Sequence, residues 1–270
     1  MKQQIPDSPR RVALIGFGAL GQAIAAELSA DRLAGVVLAG ALVLPGHAHE
    51  GLACAWETMD ELLDSEPDLV IEAAGHAALS IHATRCLLAG HDLVVASVGA
   101  LMDEPLRHRL LEAARQGRSR LVVPSGALGG LDYLRAARRL GPVNVSYVGR
   151  KPVKAWRGTA AEGMVDLDKV TEAATFFRGA ATEAATLFPQ NANVVAALAL
   201  AVDDPKSVSV ELVADPRATH NSHEVQAEGA AGSIHLGVRN EPMAGNPKTS
   251  RITAFSLLEV VAARLGQGLC

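Results

Sequence analysis

The 270-residue sequence predicts an α/β chain of two domains, a doubly wound parallel sheet followed by an α+β domain. Three observations carry that expectation. Short apolar segments alternate with amphipathic ones through the first half, a glycine-rich turn closes the first apolar segment, and the rhythm changes after Gly141. The composition agrees: 49% of residues are hydrophobic but only 3% aromatic, so the cores must be built from Ala, Val and Leu. Ala-rich segments favour helices, and Val-rich ones favour strands covered on both faces.

Taken in order, Arg11–Ile15 reads as a strand, Leu20–Ala30 as a helix, Val36–Leu44 as a strand and Met59–Ser65 as a short helix. A strand at Asp68–Ala74 ends at Gly75, and a helix at Ala78–Ala89 ends at Gly90. Leu93–Ser97 is a strand, residues 104–116 a helix, and Arg120–Val123 a strand closed by Pro-Ser-Gly. Strands separated by helices of this length imply βαβ units with right-handed crossovers. In the second half Val143–Val148, Val208–Ala214 and Ser233–Val238 read as strands. An interrupted helical stretch is expected between the first two, over Asp168–Phe177, Thr182–Phe188 and Asn193–Ala201. Ser250–Leu265 is an apolar helix. The domains are expected at residues 1–124 and 125–250, with the helix in 251–270 packing back on the first.

Several classes are excluded on composition. The formal net charge is −4, with no basic block, so a nucleic-acid partner is not expected. No apolar run approaches the roughly 18–20 residues that cross a bilayer, and with the polar start MKQQIPDSPRR no signal peptide is expected. Cys54, Cys86 and Cys270 are far apart, without metal-ligand spacing, as in a reducing cytoplasm.

The glycine-rich turn, Gly16-Phe17-Gly18-Ala19-Leu20-Gly21, lies between the first strand and the first helix. In this Rossmann context Gly16 permits the tight turn, Gly18 lets the backbone approach a pyrophosphate, and Gly21 allows close helix–strand packing. The helix N-terminus adds unpaired N–H groups for the phosphates. All six residues are therefore expected to bind a dinucleotide. An acid about 20 residues further on normally binds the adenosine ribose. Here residues 39–46 carry neither an acid nor an Arg, with His47 and His49 just beyond, so NAD and NADP stand as equal alternatives.

The second half contains Asp215-Pro-Arg-Ala-Thr-His220-Asn221-Ser222-His223-Glu224-Val225, a polar density unusual in so Ala-rich a chain. No Cys or third His lies at ligand spacing, so no metal is expected and a solvated turn is the plain alternative. The chemical alternative is that one His serves as acid/base, since imidazole titrates near working pH. Nearby polar clusters are a basic patch after a strand, Gly149–Lys154, the segment Asn246–Ser250 including Lys248 and Thr249, and Phe188–Asn193, where Asn193 could cap a helix. Together they suit an anionic substrate.

These motifs carry a family resemblance. GFGALG, SVGAL (97–101), PSGALGG (124–130), RKPVKAWRGTA (150–160), FPQNANV (188–194), DPRATHNSHEV (215–225) and NPKTS (246–250) occur in order along nearly the whole chain, which resembles the L-aspartate dehydrogenases. The resemblance implies a homodimeric cytoplasmic enzyme with a Rossmann domain and a C-terminal catalytic domain. It would oxidatively deaminate L-aspartate with NAD or NADP, linked to NAD biosynthesis or aspartate catabolism. It also implies His223 as the catalytic histidine, with His220 as a neighbour, and cofactor contacts from the Ala127 backbone and the Asn193 side chain. Lys151, Lys248, Thr249, His220 and Asn221 are the candidates for the substrate carboxylates. Two rivals share the domain plan: a homoserine- or dihydrodipicolinate-type oxidoreductase, and a dinucleotide sensor without turnover.

Overall fold

A computed structural model describes residues 8–30, 32–46, 51–189 and 192–266. The chain divides into two compact units, one running to Pro124 and taking back the segment from Ala254, the other Ser125–Thr253.

The first unit alternates strands and helices: β1 (Arg10–Ile15), α1 (Ala19–Ser29), β2 (Val36–Leu42), β3 (Ala55–Trp56), α2 (Met59–Asp64), β4 (Leu69–Glu72), α3 (His76–Leu88), β5 (Leu93–Val95), α4 (Glu104–Gly117) and β6 (Leu121–Val122). The six strands run in the order β3-β2-β1-β4-β5-β6 with every neighbouring pair parallel. Their cores are runs such as Leu69-Val70-Ile71 and Leu93-Val94-Val95, buried on both faces as a helix-covered parallel sheet requires. The order reverses between β1 and β4, and in such sheets ligands bind outside the carboxyl ends of the strands at that point. Local signals fix the helices. Thr58 and Glu61 form a reciprocal capping box at α2, and Asp103 accepts from the Leu106 N–H at the start of α4.

The second unit contains α5 (Leu131–Ala137), β7 (Val143–Pro152), β8 (Ala174–Ala180), α6 (Ala181–Leu187), α7 (Asn193–Val202), β9 (Val208–Asp215), β10 (Asn221–Gly229), β11 (Gly232–Asn240), β12 (Pro242–Met243) and β13 (Asn246–Ser250). Its main sheet has the order β11-β10-β7-β9-β8 and is mixed: only β7 and β9 pair in parallel. One face is apolar, with Val145 and Tyr147 on β7, Val210 and Leu212 on β9, and Val225 and Ala227 on β10. The helix α7, apolar nearly all round, packs between α5 and α6 and against this sheet. The last helix, α8 (Ile252–Arg264), begins as the second unit ends. It buries Ala254, Leu257, Leu258, Val261 and Ala262, and Arg264 donates to Asp92 of the first unit's own segment. Among the described residues no helix is long and apolar enough to cross a membrane.

Several elements differ from the sequence expectation. Asp168–Phe177 is not helical; its end belongs to strand β8. Thr175, Phe176 and Phe177 are β-branched or aromatic, and a tertiary partner decides the matter. Thr175 and Phe177 pair antiparallel with β9 on either side of an irregularity at Phe176, Thr175 Oγ1 donates to Glu211 at 2.6 Å, and Phe176 and Phe177 join Trp156 and Phe188 in an edge-to-face aromatic cluster. The basic patch does not follow a strand but completes β7, which runs on through Pro152. The polar segment after Asp215 turns once and then becomes strand β10. Asn246–Ser250 forms strand β13, and α5 was not anticipated.

Candidate active site

The glycine turn is built as a cradle. Gly16 has φ +94°, a left-handed conformation that side chains resist, and a Cβ there would lie 2.5 Å from the Ala74 Cβ. A Cβ on Gly21 would lie 2.5 Å from the Gly16 carbonyl oxygen. Gly18 is the opposite case: its φ of −74° is ordinary, and nothing lies within 4 Å of where its Cβ would be. The N-terminus of α1, which starts at Ala19 and Leu20, has no side-chain cap and no acid in its first turn. Its N–H groups have no acceptor within the helix, and the dipole favours an anion. Phe17 lends its carbonyl to the Gln22 amide at 3.2 Å. These residues fit a dinucleotide: open space at Gly18 lies at a helix N-terminus without a side-chain cap, where a pyrophosphate would dock. At the end of β2, Val43 is tied to Trp56, and residues 39–46 still show no acid or Arg. His47 and His49 lie outside the described residues.

A residue that the sequence did not single out braces this turn. Glu72, fully buried at the end of β4, accepts from the N–H groups of Ala74 and Gly75 at 2.9 and 2.8 Å. It also accepts from the N–H and hydroxyl of Ser97, both at 2.9 Å. The Gly16 turn rests directly on that braced Ala74 peptide. Glu72→Gln puts an N–H₂ where an acceptor is needed, and losing about 1.5 kcal/mol of hydrogen bonding should weaken dinucleotide binding about tenfold. Equilibrium titration with NADH and NADPH reads this directly, and unchanged affinity for both would disprove the brace.

In the second unit the polar residues gather at one end of the sheet's apolar face. Strand alternation places Tyr147, Gly149 and Lys151 of β7 on that face, and Asn221, His223 and Val225 of β10 beside them. His223 lies opposite Gly149 on one side and Val238 on the other. It is 2% exposed, and its Nδ1 is 2.8 Å from the Tyr147 hydroxyl. Its Nε2 has no hydrogen-bond partner among the described residues, and neither does the Asn221 Oδ1. Buried polar atoms are rarely left so, and this pair marks where a ligand would bond.

Lys151, 4% exposed, donates to the Lys248 carbonyl at 3.1 Å and sits 5.5 Å from the centre of the Trp156 ring. Burial and the Lys248 charge lower its pKa to about 8, which leaves it a cation at neutral pH. Burial and the Lys151 charge together lower His223 to about 3, so its imidazole is neutral.

The remaining predicted residues have separate places. His220 is in the loop before β10, bonded to Thr219 at 2.6 Å and Glu241 at 2.9 Å, and does not join the buried set. Asn221 donates to the Pro247 carbonyl and the Ser250 hydroxyl at 3.3 and 3.4 Å, which binds β10 to β13. Thr249 accepts from Asn246 at 3.1 Å. The Ala127 carbonyl accepts from Asn240, the strand partner of Asn221, at 2.8 Å, so its loop is fastened beside the polar end of the sheet. Asn193 is the first residue of α7; the cap position is Ala192. Tyr147 and Asn240 carry no motif of their own in the sequence, although the period of two along β7 aligns Tyr147 with Lys151.

Comparison with known proteins agrees with both units. Residues 132–264 match the profile described as "Aspartate dehydrogenase, C-terminal", and residues 16–124 match "Homoserine dehydrogenase, NAD binding domain". The L-aspartate dehydrogenase of Cupriavidus necator is 41% identical over 260 residues, covering 94% of this chain and 97% of its own. That of Ruegeria pomeroyi is 43% identical over 263 residues, covering 96% and 94%. Among solved structures, aspartate dehydrogenase from Thermotoga maritima superposes with a TM-score of 0.74 at 24% identity, covering 97% of this chain and 99% of its own. A hyperthermophilic archaeal homoserine dehydrogenase in complex with NADPH shares the fold at a TM-score of 0.58 and 12% identity, covering 96% and 98%. With sequence relatives this similar over almost its whole length, the chain belongs to the L-aspartate dehydrogenase family.

Proposed function

We infer that the protein is an NAD(P)-dependent oxidoreductase that converts L-aspartate, water and the oxidised dinucleotide to oxaloacetate, ammonium, the reduced dinucleotide and a proton, through iminoaspartate. The observation that carries the reading is the buried trio of Asn221, His223 and Lys151, with two polar atoms still unbonded. An acceptor, a neutral base and a cation are what an amino acid with a second carboxylate asks for. A dinucleotide held at the Gly16–Gly21 turn would supply the hydride acceptor for the substrate Cα.

The residues of this chain do the rest. The Asn221 Oδ1 accepts from the substrate ammonium, and Lys151 neutralises a carboxylate, with Lys248 and Thr249 as further carboxylate partners. His223 Nε2 takes a proton from the ammonium and releases it to solvent; the neutral imidazole then accepts a proton from the water that attacks the imine carbon. The two negative carboxylates oppose the influences that depress His223, so substrate arrival itself makes the imidazole a stronger base. Gly16 to Gly21 hold the pyrophosphate; the backbone of Ala127 and the side chain of Asn193 are assigned to the cofactor by family resemblance. The same resemblance supports a homodimer in the cytoplasm, the former testable by light scattering.

The reading is tested by following reduced-cofactor formation from L-aspartate with NAD and NADP separately, with D-aspartate, L-glutamate and L-homoserine as controls. Turnover is expected with L-aspartate alone. Preference for L-homoserine would place the chain with the homoserine-type enzymes instead. Dinucleotide binding without any turnover would make it a sensor.

A further inference from the structure

The hydrogen bond that His223 makes on its inner side goes to a phenol. His223 Nδ1 meets the Tyr147 hydroxyl at 2.8 Å, and the two rings lie nearly parallel, 19° apart with centres separated by 6.0 Å. This is the imidazole's one hydrogen bond among the described residues, and Nε2 is left on the other side. Tyr147 is two residues before Gly149 on β7, and Gly149 is the direct strand partner of His223. A Cβ at residue 149 would lie 2.6 Å from the Tyr147 hydroxyl oxygen and 3.0 Å from the ring carbon that bears it. The phenol therefore runs along its own strand, through space that only glycine leaves, to reach the neighbouring strand. An aromatic ring lying over a strand glycine also restores the packing that the glycine lacks.

We infer that Tyr147 is a positioning residue for His223, seated by Gly149, whose hydroxyl holds Nδ1 so that Nε2 is the nitrogen presented to substrate. The inference rests on the acid/base role proposed for His223. Its chemistry follows from the donor and acceptor capacity of each group. When Nδ1 carries the hydrogen, the phenol oxygen accepts it and Nε2 keeps a free lone pair, the form that acts as base. When the phenol donates to Nδ1, Nε2 carries the hydrogen, the form that donates. A hydroxyl serves both tautomers, whereas an ionised carboxylate only accepts and would hold the first alone. Burial raises the Tyr147 pKa, so the phenol remains un-ionised and keeps both capacities.

The test uses the full-length chain with ¹⁵N-labelled histidine and three variants. Tyr147→Phe keeps the ring and removes the hydroxyl; Gly149→Ala keeps the hydroxyl and displaces it. Both should lower kcat about 10–100-fold, the scale for partners that orient a functional histidine. The dinucleotide Kd should be unchanged, which also shows that the first unit is folded. The His223 ring ¹⁵N shifts should move, that of Nδ1 most, because its hydrogen-bond partner is lost. A merely structural tyrosine would lower stability without moving those shifts. If Gly149→Ala does not fold, Tyr147→Phe carries the test. Unchanged His223 shifts, or wild-type kcat in folded Tyr147→Phe, would overturn the inference. Wild-type turnover by His223→Ala would instead remove the acid/base role, while the shifts in the parent and Tyr147→Phe would still report whether the phenol holds Nδ1.

Discussion

His223→Ala is expected to lower kcat for L-aspartate by about 10²–10⁴-fold, the usual contribution of a positioned acid/base. KM should change only a few-fold, because the carboxylate partners remain. The same variant carries a second signature in acid. In the unfolded chain a histidine takes up a proton near its ordinary value of 6.5, but in the folded protein burial and Lys151 hold His223 off until about 3. Between those values the unfolded state binds more protons, so stability declines as pH falls from 6.5 toward 3 and is whole above 6.5. His223→Ala removes this contribution, and its unfolding midpoint should fall less steeply with acidification than that of the parent. Lys151 has the same sign at higher pH: its folded value of about 8 lies below the ordinary 10.5, so stability rises between the two. A His223→Ala protein with near-parental kcat would move the acid/base role elsewhere, and Lys151 would be the next residue to examine.

How far the site was legible in the sequence depended on whether a residue's role is local. The Gly16–Gly21 turn is local: strand, turn and helix are contiguous, and the sheet order around them matches a doubly wound fold. The polar segment that carries His223 stands out in the sequence, but the separation of His223 from His220 does not. The strand beginning at Asn221 points His223 and Asn221 to one face, while His220 remains in the loop beside Glu241. Glu72 and Tyr147 were hidden for a different reason. The partners of Glu72 include Ser97, 25 residues away, and the partner of Tyr147 is 76 residues away. Nothing in the strand segments Leu69–Glu72 or Val143–Pro152 shows such a partner; they read as buried strand. Asp168–Phe177 shows the same limit in reverse. Its helical reading was reasonable locally, and the pairing of β8 with β9 overrode it.

The glycine turn offers the sharpest separation of binding from folding, and the expected result differs for three residues in one motif. Gly18→Val should fold with near-parental thermal stability, since its backbone angles suit a side chain and the space at its Cβ is open. That space is the one assigned to the pyrophosphate, so the variant should lose cofactor affinity. Forfeiting even one or two charge-assisted hydrogen bonds, about 1.5–3 kcal/mol each, means a Kd at least tenfold higher. Gly16→Ala and Gly21→Ala should fail differently. The first forces a side chain into φ +94° and against Ala74, and the second drives a Cβ onto the Gly16 carbonyl. Each should lower the unfolding temperature as well as affinity, by about 1–3 kcal/mol of stability for the strained backbone at residue 16. Paired thermal unfolding and NADH titration of the three variants checks this. A stable Gly18→Val with parental affinity would show that the dinucleotide does not approach the chain there, and the helix N-terminus would lose its role as the pyrophosphate site.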